Sequence, residues 1–179
     1  MFPSCTITKN IGNAQVKGNG NLSSEMRELT KFKAIKITIG YDKIIVNCGQ
    51  EPSIQISGDE NILPLITTRV QKGTLIISSD STFETKADAE IIINVKSLKE
   101  FTFDGVGKTV IHNLNEDKFN CNINGVGSCE LTGTVKAFNV SVNGVGSVNA
   151  RQLIADNVVA SLNGVGSVKV YAKNSLNAS

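Results

Sequence analysis

The chain has 179 residues, 40% of them hydrophobic and 19% charged, with 16 glycines, no tryptophan and a formal net charge of +2. That length supports one well-buried domain, residues 1–179, and no proline- or serine-rich linker divides it. A near-balanced charge without a Lys/Arg block excludes the usual footprint of a nucleic-acid binder, and no apolar run reaches the roughly 18 residues of a membrane-spanning helix.

Residues 1–5 carry neither the basic start nor the apolar run of an export signal. Cys5, preceded by the small Ser4, is a candidate lipid-attachment residue, against the alternative of an ordinary terminal thiol. Residues 6–30 are polar and glycine-rich. Lys17-Gly18-Asn19-Gly20-Asn21 reads as a turn, and Glu25-Met26-Arg27-Glu28-Leu29 as half a helical turn or a strand. From Phe32 the apolar period becomes two, through Ile35, Ile37 and Ile39, then Ile44, Val46 and Cys48, then Ile54 and Ile56. Half-buried strands alternate in this way.

Pro64 has no backbone donor, so the segment around it is expected to be irregular or at an edge. Gln71-Lys72-Gly73 turns residues 70–77 into a hairpin or a corner, and the polar residues 78–88 are expected to project as a loose loop. Ile91, Ile93 and Val95 resume the alternation. No segment keeps a 3.6-residue period over two turns, so an almost wholly β protein is expected.

The C-terminal half carries a repeat. Asp104-Gly105-Val106-Gly107 returns as Asn124-Gly125-Val126-Gly127, Asn143-Gly144-Val145-Gly146 and Asn163-Gly164-Val165-Gly166, with the first glycines spaced 20, 19 and 20 residues apart. Aligned on that glycine, Phe101, Cys121, Val140 and Ala160 form one apolar column, and Phe103, Ile123, Val142 and Leu162 another. Polar Thr102, Asn122, Ser141 and Ser161 lie between them. After the turn, Thr109, Cys129, Val148 and Val168 form an inward column, as do Ile111, Leu131, Ala150 and Val170.

These columns predict an all-β fold, a single-stranded parallel β-solenoid of about 20 residues per coil, stacked at about 4.8 Å. Coils are irregular to about residue 100 and regular over residues 101–179. The glycines are the corner residues, needed for positive φ. Asn124, Asn143 and Asn163 are expected to bond up the stack as a ladder that changes character at Asp104, and the turn valine is expected to face the core. Phe119, Phe138 and Val158 stand six residues before their glycines, and Leu176 keeps that rhythm, which places a further glycine near position 182. The last coil therefore reads as incomplete, and its exposed end predicts a further coil, a capping partner or homo-oligomerisation end to end.

These turns, with Lys17 to Asn21, Glu25 to Leu29 with Phe32, Asp59-Glu60-Asn61-Ile62-Leu63-Pro64 and Gly73-Thr74-Leu75-Ile76-Ile77, resemble the head GIN domain of putative auto-transporter adhesins. The resemblance spans most of the chain. It implies a right-handed β-helix, an extracytoplasmic location and an adhesin-like role, and it brings no catalytic residues.

Other chemistries find little footing. A glycine loop that cradles phosphate needs a following helix, and none is expected here. His112 is the only histidine, so a two-histidine metal site is excluded; no metal and no cofactor are expected. Asp104, Glu116, Asp117 and Glu130 are the carboxylates nearest the repeat, but no pair recurs at a spacing that aligns it outward for sugar cleavage. Cys48, Cys121 and Cys129 occupy apolar positions and are expected as buried thiols rather than disulfides. The expected function is a non-catalytic cell-surface or envelope module that binds a glycan or protein ligand or serves as a spacer. The alternative is a carbohydrate-active β-helix enzyme.

Overall fold

The structure, a computed structural model, describes residues 15–179. Cys5 lies outside them. The strands in chain order are β1 (Val16–Lys17), β2 (Leu22–Glu28), β3 (Ala34–Ile37), β4 (Lys43–Cys48), β5 (Ser53–Asp59), β6 (Thr67–Gln71), β7 (Thr74–Ser78), β8 (Phe83–Glu84), β9 (Glu90–Val95) and β10 (Glu100–Phe103). Four long strands follow: β11 (Val106–Ile123), β12 (Val126–Val142), β13 (Val145–Leu162) and β14 (Val165–Ala178). The described residues hold no α-helix; Pro64 sits in a 3-10 turn, Leu63–Leu65. The protein is all-β.

The long strands stack in parallel, residue on equivalent residue. Val126 pairs with Val145 and Val145 with Val165, and farther along Phe119 pairs with Phe138 and Phe138 with Val158. The registers shift between Ile111 and Leu114, between Glu130 and Thr132, and between β13 and β14 at Ala150/Ile154 and Ala155/Asn157. Like side chains lie over like, and the Phe119 and Phe138 rings stack with centroids 6.0 Å apart.

The first hundred residues supply only two comparable levels, and not in chain order. β3 lies between β7 and β10, all parallel, while β4 lies between β9 and β11. The level made by β3 and β4 is thus inserted between the later-formed β7/β9 level and the β10/β11 level. A sequential winding from the first coil onward does not describe this half. Antiparallel strands close that end: β6 pairs with β7 across the Lys72-Gly73 hairpin, and β5 lies between β9 and β2. An antiparallel strand caps a parallel stack without needing a crossover connection.

Two further segments differ from expectation. Residues 78–88 contain β8, paired with β1, and the backbone amides of Lys86 and Ala87 donate to Asp59 Oδ2 at 2.8 and 3.1 Å. Asp59 is fully buried and also accepts from the Gly20 amide at 2.5 Å. One carboxylate therefore pins this segment and the glycine-rich opening to β5. Burial alone would raise its pKa, but the Lys86, Gly20 and Ala87 amides together hold it below the ordinary carboxylate range. Residues 25–28 are strand, within β2, and Arg27 reaches the carbonyls of Ile66 and Leu63 at 2.6 and 3.1 Å.

The buried apolar side chains form one cluster from Phe32 to Ala160. Each buried Val or Ile contributes roughly 1.5–3 kcal/mol. At the β14 end the cluster thins: Val168 and Val170 are only half-buried, and Leu162 and Leu176 are exposed.

Candidate functional site

The Gly-Val-Gly corners build one continuous face. Alternation runs unbroken through each corner. In the first copy Phe101, Phe103, Gly105, Thr109 and Ile111 are buried, which sends Asp104, Val106 and Lys108 outward. The inward corner position is taken by a residue with no side chain. The turn valines therefore face solvent, not the core: Val106 is 59%, Val126 48%, Val145 53% and Val165 71% exposed. This corrects the sequence expectation, and the parity of the alternation is the signal that identifies it.

The glycines have a more specific cause than turn geometry. A Cβ at Gly105 would overlap the Ile39 carbonyl oxygen, and one at Gly125 the Gly105 carbonyl oxygen, because consecutive corners approach backbone to backbone. Gly144 and Gly164 repeat that approach, each over the corner before it, as do Gly107, Gly127, Gly146 and Gly166 at the second position. Positive φ contributes only at second positions, as at Gly127 with φ 153°. Gly105, Gly125, Gly144 and Gly164 are glycine for space alone.

Three rows run across the corner face. In the amide row, Asn163 Nδ2 donates to Asn143 Oδ1 at 3.1 Å, Asn143 Nδ2 to Asn124 Oδ1 at 2.9 Å, and Asn124 Nδ2 to Asp104 Oδ1 at 2.7 Å. Asp104 ends the row, and its other oxygen lies 3.4 Å from Lys36 Nζ. The valines form the second row. In the third, Lys108, Ser128, Ser147 and Ser167 are in register. Charge is confined to the first level. Above it the face is uncharged, with apolar, amide and hydroxyl rows repeating about every 4.8 Å and spanning about 14 Å from Val106 to Val165.

Of the carboxylates weighed for sugar cleavage, Glu116 and Asp117 line one open pocket with Asp156, and Asp104 and Glu130 do not. Asp104 is held as above, Glu130 lies 2.9 Å from Lys108 Nζ, and Asp117 lies 2.7 Å from Lys136 Nζ. The Lys136 hydrogen bond and charge lower the Asp117 pKa, the direction opposite to that needed by a general acid. Glu116 stands beside Asp117. His112 is half-buried on β11, opposite Asn47 of β4. Among the described residues no His/Cys/Asp/Glu group is arranged to hold a metal ion.

The thiols of Cys48, Cys121 and Cys129 are buried and free. Burial, then the charge of Glu116, pushes Cys48 up to about 12. A hydrogen bond with Cys121, then burial, raises Cys129. Thiols so protonated are poor nucleophiles.

A family model for the putative auto-transporter adhesin, head GIN domain, matches residues 31–179. The chain belongs to that family. A crystal structure of a putative adhesin from Bacteroides fragilis NCTC 9343 matches with 26% identity and a TM-score of 0.73, over 91% of this chain and 86% of that one. A putative lipid binding protein from Parabacteroides distasonis ATCC 8503 matches at 17% identity and TM-score 0.55, over 93% and 100% of the two chains. A putative adhesin from Parabacteroides merdae ATCC 43184 matches at 18% and 0.54, over 92% and 99%. At these lower identities the likeness is one of fold. No curated protein matches the chain. In this head GIN domain no helix among the described residues is long and apolar enough to cross a membrane.

Proposed function

We propose that the chain is a non-catalytic, surface-displayed binding module, a single domain whose repeat half winds as a right-handed parallel β-helix and offers its corner face to a glycan or protein ligand. The observation that carries this reading is the valine row. Four apolar side chains held in register and exposed by about half or more are an unusual expense of surface on a soluble domain, and contiguous exposed apolar rows mark contact sites. The Asn and Ser rows beside them supply donors and acceptors already fixed in place, so little side-chain freedom is lost on contact. Family membership supports an adhesin-like role outside the cytoplasm. The β14 edge, paired on one side only among the described residues, is where a second copy of the chain would add end to end.

The test is the double substitution Val126→Ser with Val145→Ser. Protein immobilised on inert beads is expected to capture glycan- or protein-coated surfaces. The double variant, with unchanged melting, is expected to lose that capture. Undiminished capture by a folded double variant removes the corner face from the account.

A further inference from the structure

At the opposite end of β10 from the corner face lies an open groove of about 800 Å³. It is lined by five lysines and two glutamates, a net charge of +3 on one surface, where the whole chain carries only +2. Its lysines are scattered in sequence and are brought together by the non-sequential stacking of β7, β3 and β10. The Lys99 amide donates to the Lys33 carbonyl at 2.7 Å, and the Lys33 amide donates to the Gly73 carbonyl at 2.9 Å. Lys33 and Lys99 therefore lie side by side just before β3 and β10, with Lys72 at the hairpin tip beside Gly73.

Like charges placed side by side repel, and the Lys99 charge also reaches the Asp117 carboxylate, whose pKa it helps to lower. The groove's one ion pair joins Lys96 to Glu51, 3.4 Å apart and exposed. Among the described residues Lys31, Lys33, Lys72 and Lys99 form none, as is also true of Lys17, Lys86, Lys118, Lys169 and Lys173 outside the groove. Lys72 takes φ 49° and Gly73 φ 77°, the left-handed pair that the two-residue hairpin between β6 and β7 requires. Net positive charge is thus gathered at one concave surface, which attracts an opposite charge.

We propose that this groove binds an anionic oligosaccharide, a chain bearing carboxylate or sulfate groups. The volume lies in the range of ligand pockets and the groove is open to solvent, which leaves room for a chain. Lysine ammonium groups are mobile point charges that follow charges spaced along a flexible polymer, whereas bidentate anion clamps use arginine, and none lines this groove. The hydroxyls of Thr74 and Ser97 and the apolar surface of Pro52 between the lysines match the alternating hydroxyl and C–H surfaces of a sugar ring. The inference deepens the surface-module reading by naming a ligand class, and it uses a different surface from the valine row.

The test measures binding of a sulfated oligosaccharide and a polyuronate, each against an uncharged glycan of the same length, from low to high salt. Wild-type protein is expected to prefer the charged chains and to lose that preference as salt rises. The triple variant Lys33→Gln, Lys72→Gln, Lys99→Gln is expected to bind them about tenfold or more weakly. A control carrying Lys43→Gln and Lys136→Gln, with the same melting check, is expected to bind as wild type. Three results overturn the proposal: no preference for charged chains, equal losses in triple variant and control, or a preference that moves to anionic phospholipid vesicles or to an oligonucleotide. Should the triple variant keep full capture of uncharged or protein-coated surfaces while the valine variant loses it, the surface-module reading stands and its groove is separate. Loss in the triple variant alone supports the groove and counts against the corner face.

Discussion

Asn143 is bonded on both sides by its own kind: its Nδ2 donates to Asn124 Oδ1 at 2.9 Å, and its Oδ1 accepts from Asn163 Nδ2 at 3.1 Å. The three asparagines stand at successive corners between the parallel strands, so Asn124 and Asn143 each donate to the level before and accept from the level after. Replacing Asn143 by Ala removes both row bonds and the bond that Asn143 Oδ1 accepts from Ser141 Oγ at 3.3 Å, all solvent-exposed, and is expected to cost about 1 kcal/mol, since exposed bonds compete with water. Urea denaturation of the two proteins checks it.

The corner reverses the usual ranking of substitutions. Val145→Asp places a charge at a position 53% exposed, so the variant is expected to fold, with stability within about 0.5 kcal/mol of wild type. Gly125→Ala puts a Cβ onto the Gly105 carbonyl oxygen and is expected to destabilise by more than about 2 kcal/mol. Thermal melts of both proteins test the pair. A core-facing valine would give the opposite order.

Thr109 is fully buried between Ile44 and Cys129 in a column that is otherwise apolar, and among the described residues its hydroxyl meets no hydrogen-bond partner. An orphaned hydroxyl is a standing loss, and valine has nearly its shape. Thr109→Val is expected to stabilise by about 1 kcal/mol and to raise Tm by about 2–4 °C.

The Asp59 carboxylate gives the fold an acid limit. Its pKa in the folded protein lies below the unfolded value of 3.8, so its contribution is fully present above that value. As pH falls through the folded pKa the carboxylate binds a proton and the contribution is lost. Melting temperature followed from pH 6 downward is expected to fall below about pH 4 in wild type. In Asp59→Asn that limb is expected to be flatter, from a lower starting stability.

The repeat half was largely legible because its information is local. Columns such as Phe101, Cys121, Val140 and Ala160 follow from a spacing of about 20 residues, and the register of β11 to β14 places them together. The turn valines, expected to face the core, face solvent, because the inward columns Phe101, Phe103, Thr109 and Ile111 share the parity of Gly105 and put Val106 on the opposite side. Two other features had no local signal. Lys33, Lys72 and Lys99 are far apart in sequence and meet only because β3 stacks between β7 and β10. Asp59 sat in what reads as an ordinary polar turn, and nothing near it in sequence tells of the amides of Gly20, Lys86 and Ala87 that converge on it.

The domain is expected to bind its ligand without turning it over. The most direct measurement incubates the protein with a panel of acidic and neutral glycans, reading bound ligand by calorimetry and chain length by chromatography from the same samples. Saturable binding with every chain recovered at its original length is the predicted result; reproducible chain cleavage contradicts the account.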